Sequence, residues 1–126
     1  MEAVTFDFRK LARLAARAAA DKKGVDPVVL DLRRASDIAH FVVIAGADSS
    51  AQLQAMFDHV EDVMEENGLR LLHRDGQRGG RWIALDYGAL VVHILMSEAR
   101  EFYRLEQLWE GAKQVSWEIR RKKAMK

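Results

Sequence analysis

The sequence lacks cysteine, contains one proline and has no long apolar run. Without cysteine the chain has no disulfide scaffold, no thiolate metal site and no thiol nucleophile, and this composition favours a reducing compartment. No apolar run approaches the roughly 20 residues that span a bilayer. The first 25 residues hold acidic Glu2 and Asp7 and scattered arginines, which is not the pattern of a signal peptide. We therefore expect a soluble cytoplasmic domain with no membrane partner.

Net charge is also close to zero, but the charges are unevenly distributed. The 126 residues hold 20 basic and 19 acidic side chains, a formal net charge of +1. Five basic residues fall within 120–126, which leaves residues 1–119 near −4. Residues 48–66 carry six acidic side chains and no lysine or arginine. A nucleic-acid-binding domain has the opposite balance. The basic tail is either a solvated, frayed end or makes weak contact with RNA or an acidic partner.

The hydrophobic pattern predicts one α/β domain. The predicted helices cover residues 6–23, 50–66 and 98–115, and the predicted strands cover 28–32, 40–45, 69–74, 82–86 and 90–96. The alanine-rich first helix predicts close packing, and Ser49 with Gln52 forms a capping box before the second helix. We expect a mixed sheet of about five strands with flanking helices, formed by residues 1–115. Residues 116–126 are expected to form a loose basic tail.

Nucleotide chemistry is the first alternative for a small α/β domain, and the sequence gives it little support. There is no phosphate-binding glycine motif, and residues 46–50 fit an ordinary capped turn between a strand and a helix. Metal-dependent nucleotidyl transfer requires closely placed carboxylates. No Asp-x-Asp, Asp-x-Glu or Glu-x-Asp occurs in the chain. The sequence therefore provides no catalytic, metal or cofactor site.

The four histidines are scattered, and their spacing predicts no shared site. His93 lies within an apolar strand, where a buried histidine that bonds to a neighbour is the simpler interpretation, and a metal-binding or acid–base role is the alternative. Asp86 could approach His93 across the predicted hairpin as a buried polar pair.

The C-terminal third is rich in large apolar side chains. Phe102, Tyr103, Leu105, Leu108 and Trp109 exceed what one stripe of a helix buries, and Trp82 and Tyr87 add aromatic area on the hairpin. Phe102 and Leu105 are expected in the core. The tryptophans and tyrosines either fill the core or face a partner, because these residue types are enriched as interface anchors.

Residues 82–109 resemble the signature of the Iojap family, the ribosomal silencing factors. The matching pattern is a tryptophan, then Leu-Asp-Tyr-Gly, then Val-Val-His, then Arg-x-x-Tyr-x-Leu-Glu-x-Leu-Trp. Upstream segments fit as well, so the resemblance covers about residues 8–110. Ala89 and the His40-Phe41 pair depart from common family residues without affecting the assignment.

The resemblance implies a nucleotidyltransferase-like fold without catalytic carboxylates, and no enzyme activity or cofactor. It implies binding to ribosomal protein fourteen of the large subunit on the intersubunit face, where the protein sterically blocks subunit joining and represses translation. It also implies a homodimer when the protein is free. The candidate partner-binding residues are Trp82, Asp86, Tyr87, Glu98, Tyr103, Glu106, Leu108 and Trp109.

Two other functions remain open from the sequence. One is a nucleotide-dependent transferase on the same fold. The other is an RNA-binding module that uses the basic tail together with Arg74, Arg78 and Arg81. A net-negative body favours a basic protein partner over either of them.

Overall fold

A computed structural model describes residues 5–35, 39–76, 80–104, 107 and 111–118, with only the backbone of residues 102 and 103. The helices are α1 (Phe8–Asp21), α2 (Ser50–Glu66) and α3 (Ser97–Tyr103). The strands are β1 (Val25–Asp31), β2 (Phe41–Ala47), β3 (His73–Asp75), β4 (Trp82–Asp86), β5 (Leu90–Met96) and β6 (Lys113–Val115). They form one mixed sheet in the order β3-β4-β5-β2-β1-β6. The predicted α/β class is confirmed, with a sixth strand added.

The centre of the sheet is the parallel pair β2 and β5, with Val43 opposite Val92. Every residue of β2 is buried, as its continuous apolar run predicts for a strand covered on both faces. The remaining strand pairs are antiparallel. None of the helices in the described ranges is long and apolar enough to cross a membrane.

Helices α1 and α2 cover one face of the sheet. The alanines of α1 allow this close packing, since Ala12, Ala15, Ala16 and Ala19 are fully buried. The apolar stripe of α2 adds Leu53, Met56, Phe57, Val60 and Met64 to the same core. The close packing predicted from the alanine content is confirmed.

The start of α2 differs in one respect from the predicted capping box. Ser49 Oγ accepts a hydrogen bond from the Gln52 N–H at 3.0 Å, as predicted. The side-chain oxygen Oε1 of Gln52 accepts from the Asp48 N–H at 2.6 Å, whereas a capping box would have it accept from the N–H of Ser49, the next residue. The Gln52 amide then donates to the carbonyls of Lys22 and Lys23, so this side chain joins the end of α1 to the start of α2.

The C-terminal part contains the main correction to the sequence prediction. The predicted helix over 98–115 ends at Tyr103, because Arg104 adopts a left-handed conformation with φ of 50°. Lys113–Val115 then forms β6 on β1, with Val115 opposite Val29. The expected cap at Ser97 is also absent, since Ser97 Oγ instead donates to Asp48 Oδ1 at 3.1 Å.

The packed part of the chain continues beyond β6. Trp117 Nε1 donates to the Pro27 carbonyl at 2.7 Å, and the Arg17 side chain donates to the Trp117 carbonyl at 3.0 Å. Trp117 also packs against the main core. The predicted boundary at residue 115 therefore falls within a packed segment, and residues 119–126 lie outside the described residues.

The strand predicted over 69–74 is shorter than expected. Its first residues terminate α2, because the Leu69 N–H donates to the Met64 carbonyl at 3.0 Å and the side chain is buried. Only His73–Asp75 pairs with β4.

Candidate functional site

The sheet face opposite α1 and α2 is covered unevenly. At β1 and β2 it carries a second apolar cluster, made of Leu30, Leu32, Val42, Ile44, Leu95 and Ala99. Toward β4, the outward residues are only half-buried: Trp82, Ala84, Asp86, Val91 and His93. Trp82, Ala84 and Asp86 share a face because strand side chains alternate. We call the surface of these five residues the open face.

A pocket of about 360 Å³ lies on the open face between Trp82, Ala84, His93, Asp75 and Gly76. Gly76 has a φ of 112°, and a Cβ at this position would clash with the Trp82 carbonyl oxygen. A side chain at residue 76 would therefore displace the backbone that forms the pocket wall.

Trp82 is held on the open face by His93. The indole N–H donates to His93 Nδ1 at 3.0 Å, and the two rings meet edge to face with centroids 5.8 Å apart. Accepting at Nδ1 places the proton of the neutral ring on Nε2. Burial lowers the pKa of His93, so the neutral ring that accepts this bond is the form present at pH 7. The interpretation of His93 as a sheet histidine bonded to a neighbour is confirmed.

Asp86 is not the partner of His93. In the strand register Ala84 lies opposite His93, and Asp86 lies opposite Val91. The Asp86 carboxylate accepts instead from the Gly88 N–H at 2.8 Å, which closes the turn between β4 and β5. The proposed Asp86–His93 pair is therefore replaced by the Trp82–His93 pair.

Tyr87 does not belong to the open face. It is 3% exposed and packs in the core beneath α1 and α2, on the other side of the sheet. Of the two alternatives left open for this ring, core and partner-facing, the structure supports the core.

Glu98 lies at the start of α3 with 74% of its side chain exposed. It accepts from Arg81 at 3.2 Å, and Arg81 immediately precedes Trp82, so this acidic group adjoins the open face. The side chain of Tyr103, and Glu106, Leu108 and Trp109, lie outside the described residues.

Sequence reasoning missed the roles of two residues at this site. His93 positions Trp82 on the open face, and Gly76 forms part of the wall of the adjoining pocket. The alternation of β4 places Trp82 and Ala84 on one face, but only the strand register shows that His93 joins them. The remaining histidines lie elsewhere, with His59 3.3 Å from Asp21 and His73 on the edge strand. Among the described residues, no three or more His, Asp or Glu side chains converge as a metal site.

Comparison with known proteins identifies the family of this chain. A family model described as "Ribosomal silencing factor during starvation" matches residues 5–126. A protein of Halalkalibacterium halodurans named ribosomal silencing factor RsfS is 34% identical over 110 residues, which is 87% of this chain and 94% of that one. The chloroplastic Iojap protein of Zea mays is 34% identical over 97 residues, 77% of this chain and 42% of its own length. A crystal structure of a Chromobacterium violaceum protein superposes with a TM-score of 0.79 at 28% identity, covering 94% of this chain and 98% of that one.

Proposed function

Because the chain belongs to the ribosomal silencing factor family, we propose that it binds the large ribosomal subunit and blocks joining of the small subunit. The family has a ribosome-associated role in translational silencing. The proposed partner is ribosomal protein fourteen on the intersubunit face.

The observation that carries this proposal is the open face around Trp82. Interface anchors are typically aromatic side chains held rigidly beside a pocket. Trp82 meets this description because His93 holds its indole N–H and a pocket of about 360 Å³ adjoins it. The pocket accommodates an apolar side chain of the partner. Tyr103, Leu108 and Trp109 are proposed as further anchors from their residue types alone.

Charge supports a basic partner. Asp86 lies on the open face and Asp75 borders it, and Glu98, paired with Arg81, lies beside it with a largely exposed carboxylate. Glu106 is proposed as a further acidic contact from its residue type alone. Acidic groups around an apolar centre raise the rate of encounter with a basic protein more than they raise the final affinity.

Steric blocking requires no catalysis and no cofactor. A domain of 126 residues has a radius of gyration of about 14 Å. Hydrogen bonds between two surfaces require donor and acceptor atoms about 3 Å apart. A protein of this size on the intersubunit face keeps the two subunits too far apart to form such contacts. In this proposal the protein acts by occupying the surface and not as an enzyme.

Sedimentation of ribosomal subunits tests the proposal. Large subunits saturated with the protein should fail to form whole ribosomes when small subunits are added. Trp82→Ala should weaken binding by about 2 kcal/mol, about 30-fold, because it removes the central anchor. Glu66→Ala, an exposed position on α2 away from the open face, is the control and should bind normally. Normal subunit association with the protein bound in equal amount would refute the blocking mechanism.

Nucleotide transfer is distinguished by calorimetry. Titration with ATP or CTP in the presence of magnesium should give no saturable heat, since the chain has no Asp-x-Asp, Asp-x-Glu or Glu-x-Asp pair to hold the metal. Saturable binding would support the transferase alternative.

Two further parts of the proposal concern assembly. The free protein is proposed to be a homodimer, which sedimentation equilibrium should show as twice the 14.3 kDa chain mass.

The tail at residues 120–126 is proposed to make weak contact with ribosomal RNA. Deleting the tail should reduce the salt dependence of RNA binding. An unchanged salt dependence would exclude that contact.

A further inference from the structure

A second concave site lies on the other side of the sheet from the open face. It is a notch of about 370 Å³ where the end of α2 meets the β4–β5 turn. Glu61 and Glu65, one helical turn apart on α2, line one side, and Leu69 and Leu71 line the other. Tyr87 also lines the notch, and Arg70 completes it.

The Tyr87 hydroxyl has no hydrogen-bond partner in the part of the chain that the structure describes. The residue is 3% exposed, its hydroxyl oxygen is fully buried, and within the described residues it makes no hydrogen bond. Buried hydroxyls in folded proteins are nearly always bonded. Burial first, and then the charges of Glu61 and Glu65, raise the pKa of Tyr87, so the phenol stays neutral and keeps both its proton and its lone pairs for a ligand.

The two carboxylates of the notch also lack a basic partner within the described ranges. Neither Glu61 nor Glu65 forms an ion pair with any described residue. Residues four apart on a helix have Cβ atoms about 6 Å apart, a spacing that a single branched cation can bridge. Two carboxylates and the Tyr87 ring, whose buried hydroxyl is unsatisfied among the described residues, therefore line one notch that has apolar walls.

We propose that this notch binds the guanidinium group of an arginine side chain from a protein partner. Guanidinium presents five donors in a planar fork, which suits two carboxylates and a hydroxyl acceptor better than a lysine ammonium does. The arginine stem would pack along Leu69 and Leu71, as long basic side chains do on apolar surfaces. The site does not depend on the proposed subunit-joining function, because Tyr87 and Trp82 lie on opposite faces of the sheet.

Arg70 is the internal competitor for this site. It lines the notch, yet it makes no ion pair with Glu61 or Glu65 among the described residues. Its exposed side chain is free to screen the two carboxylates. Arg70→Gln should therefore tighten binding of an external arginine, and weaker binding in this variant would contradict the proposal.

An NMR titration with N-acetyl-arginine amide tests the site directly. Saturable shifts are expected for the Tyr87 ring and for the backbone of Glu61 and Glu65. N-acetyl-citrulline amide, which has nearly the same shape without the charge, should produce no saturable shift. Equal responses to the two probes would overturn the proposal.

Matched variants separate a specific site from general negative charge. Glu61→Gln with Glu65→Gln should weaken arginine binding at least tenfold. Asp58→Asn with Asp62→Asn removes the same charge from the same helix outside the notch, and should change binding less than twofold. Similar losses in the two pairs would show that only the overall charge of α2 matters.

Tyr87→Phe distinguishes binding from a structural role. The variant should weaken arginine binding several-fold, because one acceptor is lost. It should also raise the melting temperature by about 3 °C, because a buried hydroxyl without a partner is removed. A lower melting temperature, or unchanged arginine affinity, would show that the hydroxyl has another partner and is not part of the site.

Discussion

His93 links protonation to stability at the residue scale. Burial lowers its pKa, so below its ordinary value of 6.5 the unfolded chain binds a proton that the folded chain does not. The stability that neutral His93 contributes is fully present above pH 6.5 and is lost as the pH falls toward the pKa of His93 in the folded state. Urea unfolding should therefore show a lower free energy of unfolding at pH 5 than at pH 7. In His93→Gln this part of the difference should disappear, and an unchanged pH profile would contradict the assignment.

Asp31 is a second residue whose pKa is shifted in the folded chain. The Arg33 side chain, which donates at 2.7 and 3.0 Å, holds the pKa of this carboxyl at about 2, below its usual 3.8. The pair contributes stability above pH 3.8 and loses it as pH falls through 2. The contribution is small because the Arg33 side chain is 53% exposed.

Arg33→Gln should therefore raise the Asp31 pKa toward 3.8 with little change in melting temperature at pH 7. An NMR titration of the carboxyl carbon measures the shift. Arg9→Gln is the comparison, since Arg9 makes the smallest contribution to lowering this pKa and should barely alter the titration. A pKa that stays near 2 without Arg33 would refute this explanation.

Gln52 connects two helices at the element scale. Its side chain accepts from the Asp48 N–H and donates to the carbonyls of Lys22 and Lys23. Gln52→Ala should lower the free energy of unfolding by about 1–2 kcal/mol, since a helix-end donor and two carbonyls lose their partner. Gln54→Ala on the same helix is the control and should cost less than about 0.5 kcal/mol, because among the described residues the Gln54 side chain bonds only to Asp58, one turn along the helix. Equal losses in denaturant unfolding would show that helix propensity alone is responsible.

The elements differ in how far their sequence reveals them. The apolar stripe of α2 and the alternation of β4 and β5 follow from local periodicity, and the structure places these elements as predicted. Strand β6 has three residues, and its pairing with β1 depends on a contact far away in the chain. Local spacing cannot show such a contact, and the apolar residues after Tyr103 continued a helical pattern that Arg104 ends.

The open face shows the same limit at the scale of the site. The sequence identifies Trp82 as a candidate partner-binding residue from its residue type and its position in the motif. The roles of His93 and Gly76 depend on strand register and on a backbone approach, neither of which is visible in the sequence. Tyr87 illustrates the converse, because its motif position suggested a surface anchor while the turn buries its ring.

Trp117 anchors the C-terminal segment at the scale of the whole molecule. It donates to the Pro27 carbonyl and packs on the main core. Trp117→Ala should reduce the free energy of unfolding by about 2–3 kcal/mol, less than for a fully buried tryptophan because the ring is half-buried. Hydrogen exchange should accelerate at the β1 amides that pair with β6, and much less at the β4–β5 ladder. Uniform acceleration of both would show only a global loss of stability.

The pairing of β6 with β1 has a consequence for the timing of synthesis. Strand β1 is translated well before β6 and Trp117, because β6 lies far downstream of β1 in the chain. A growing chain whose C-terminal segment is still inside the ribosomal exit tunnel cannot form this edge of the sheet. Each copy therefore completes this edge of the sheet only after β6 has emerged from the exit tunnel.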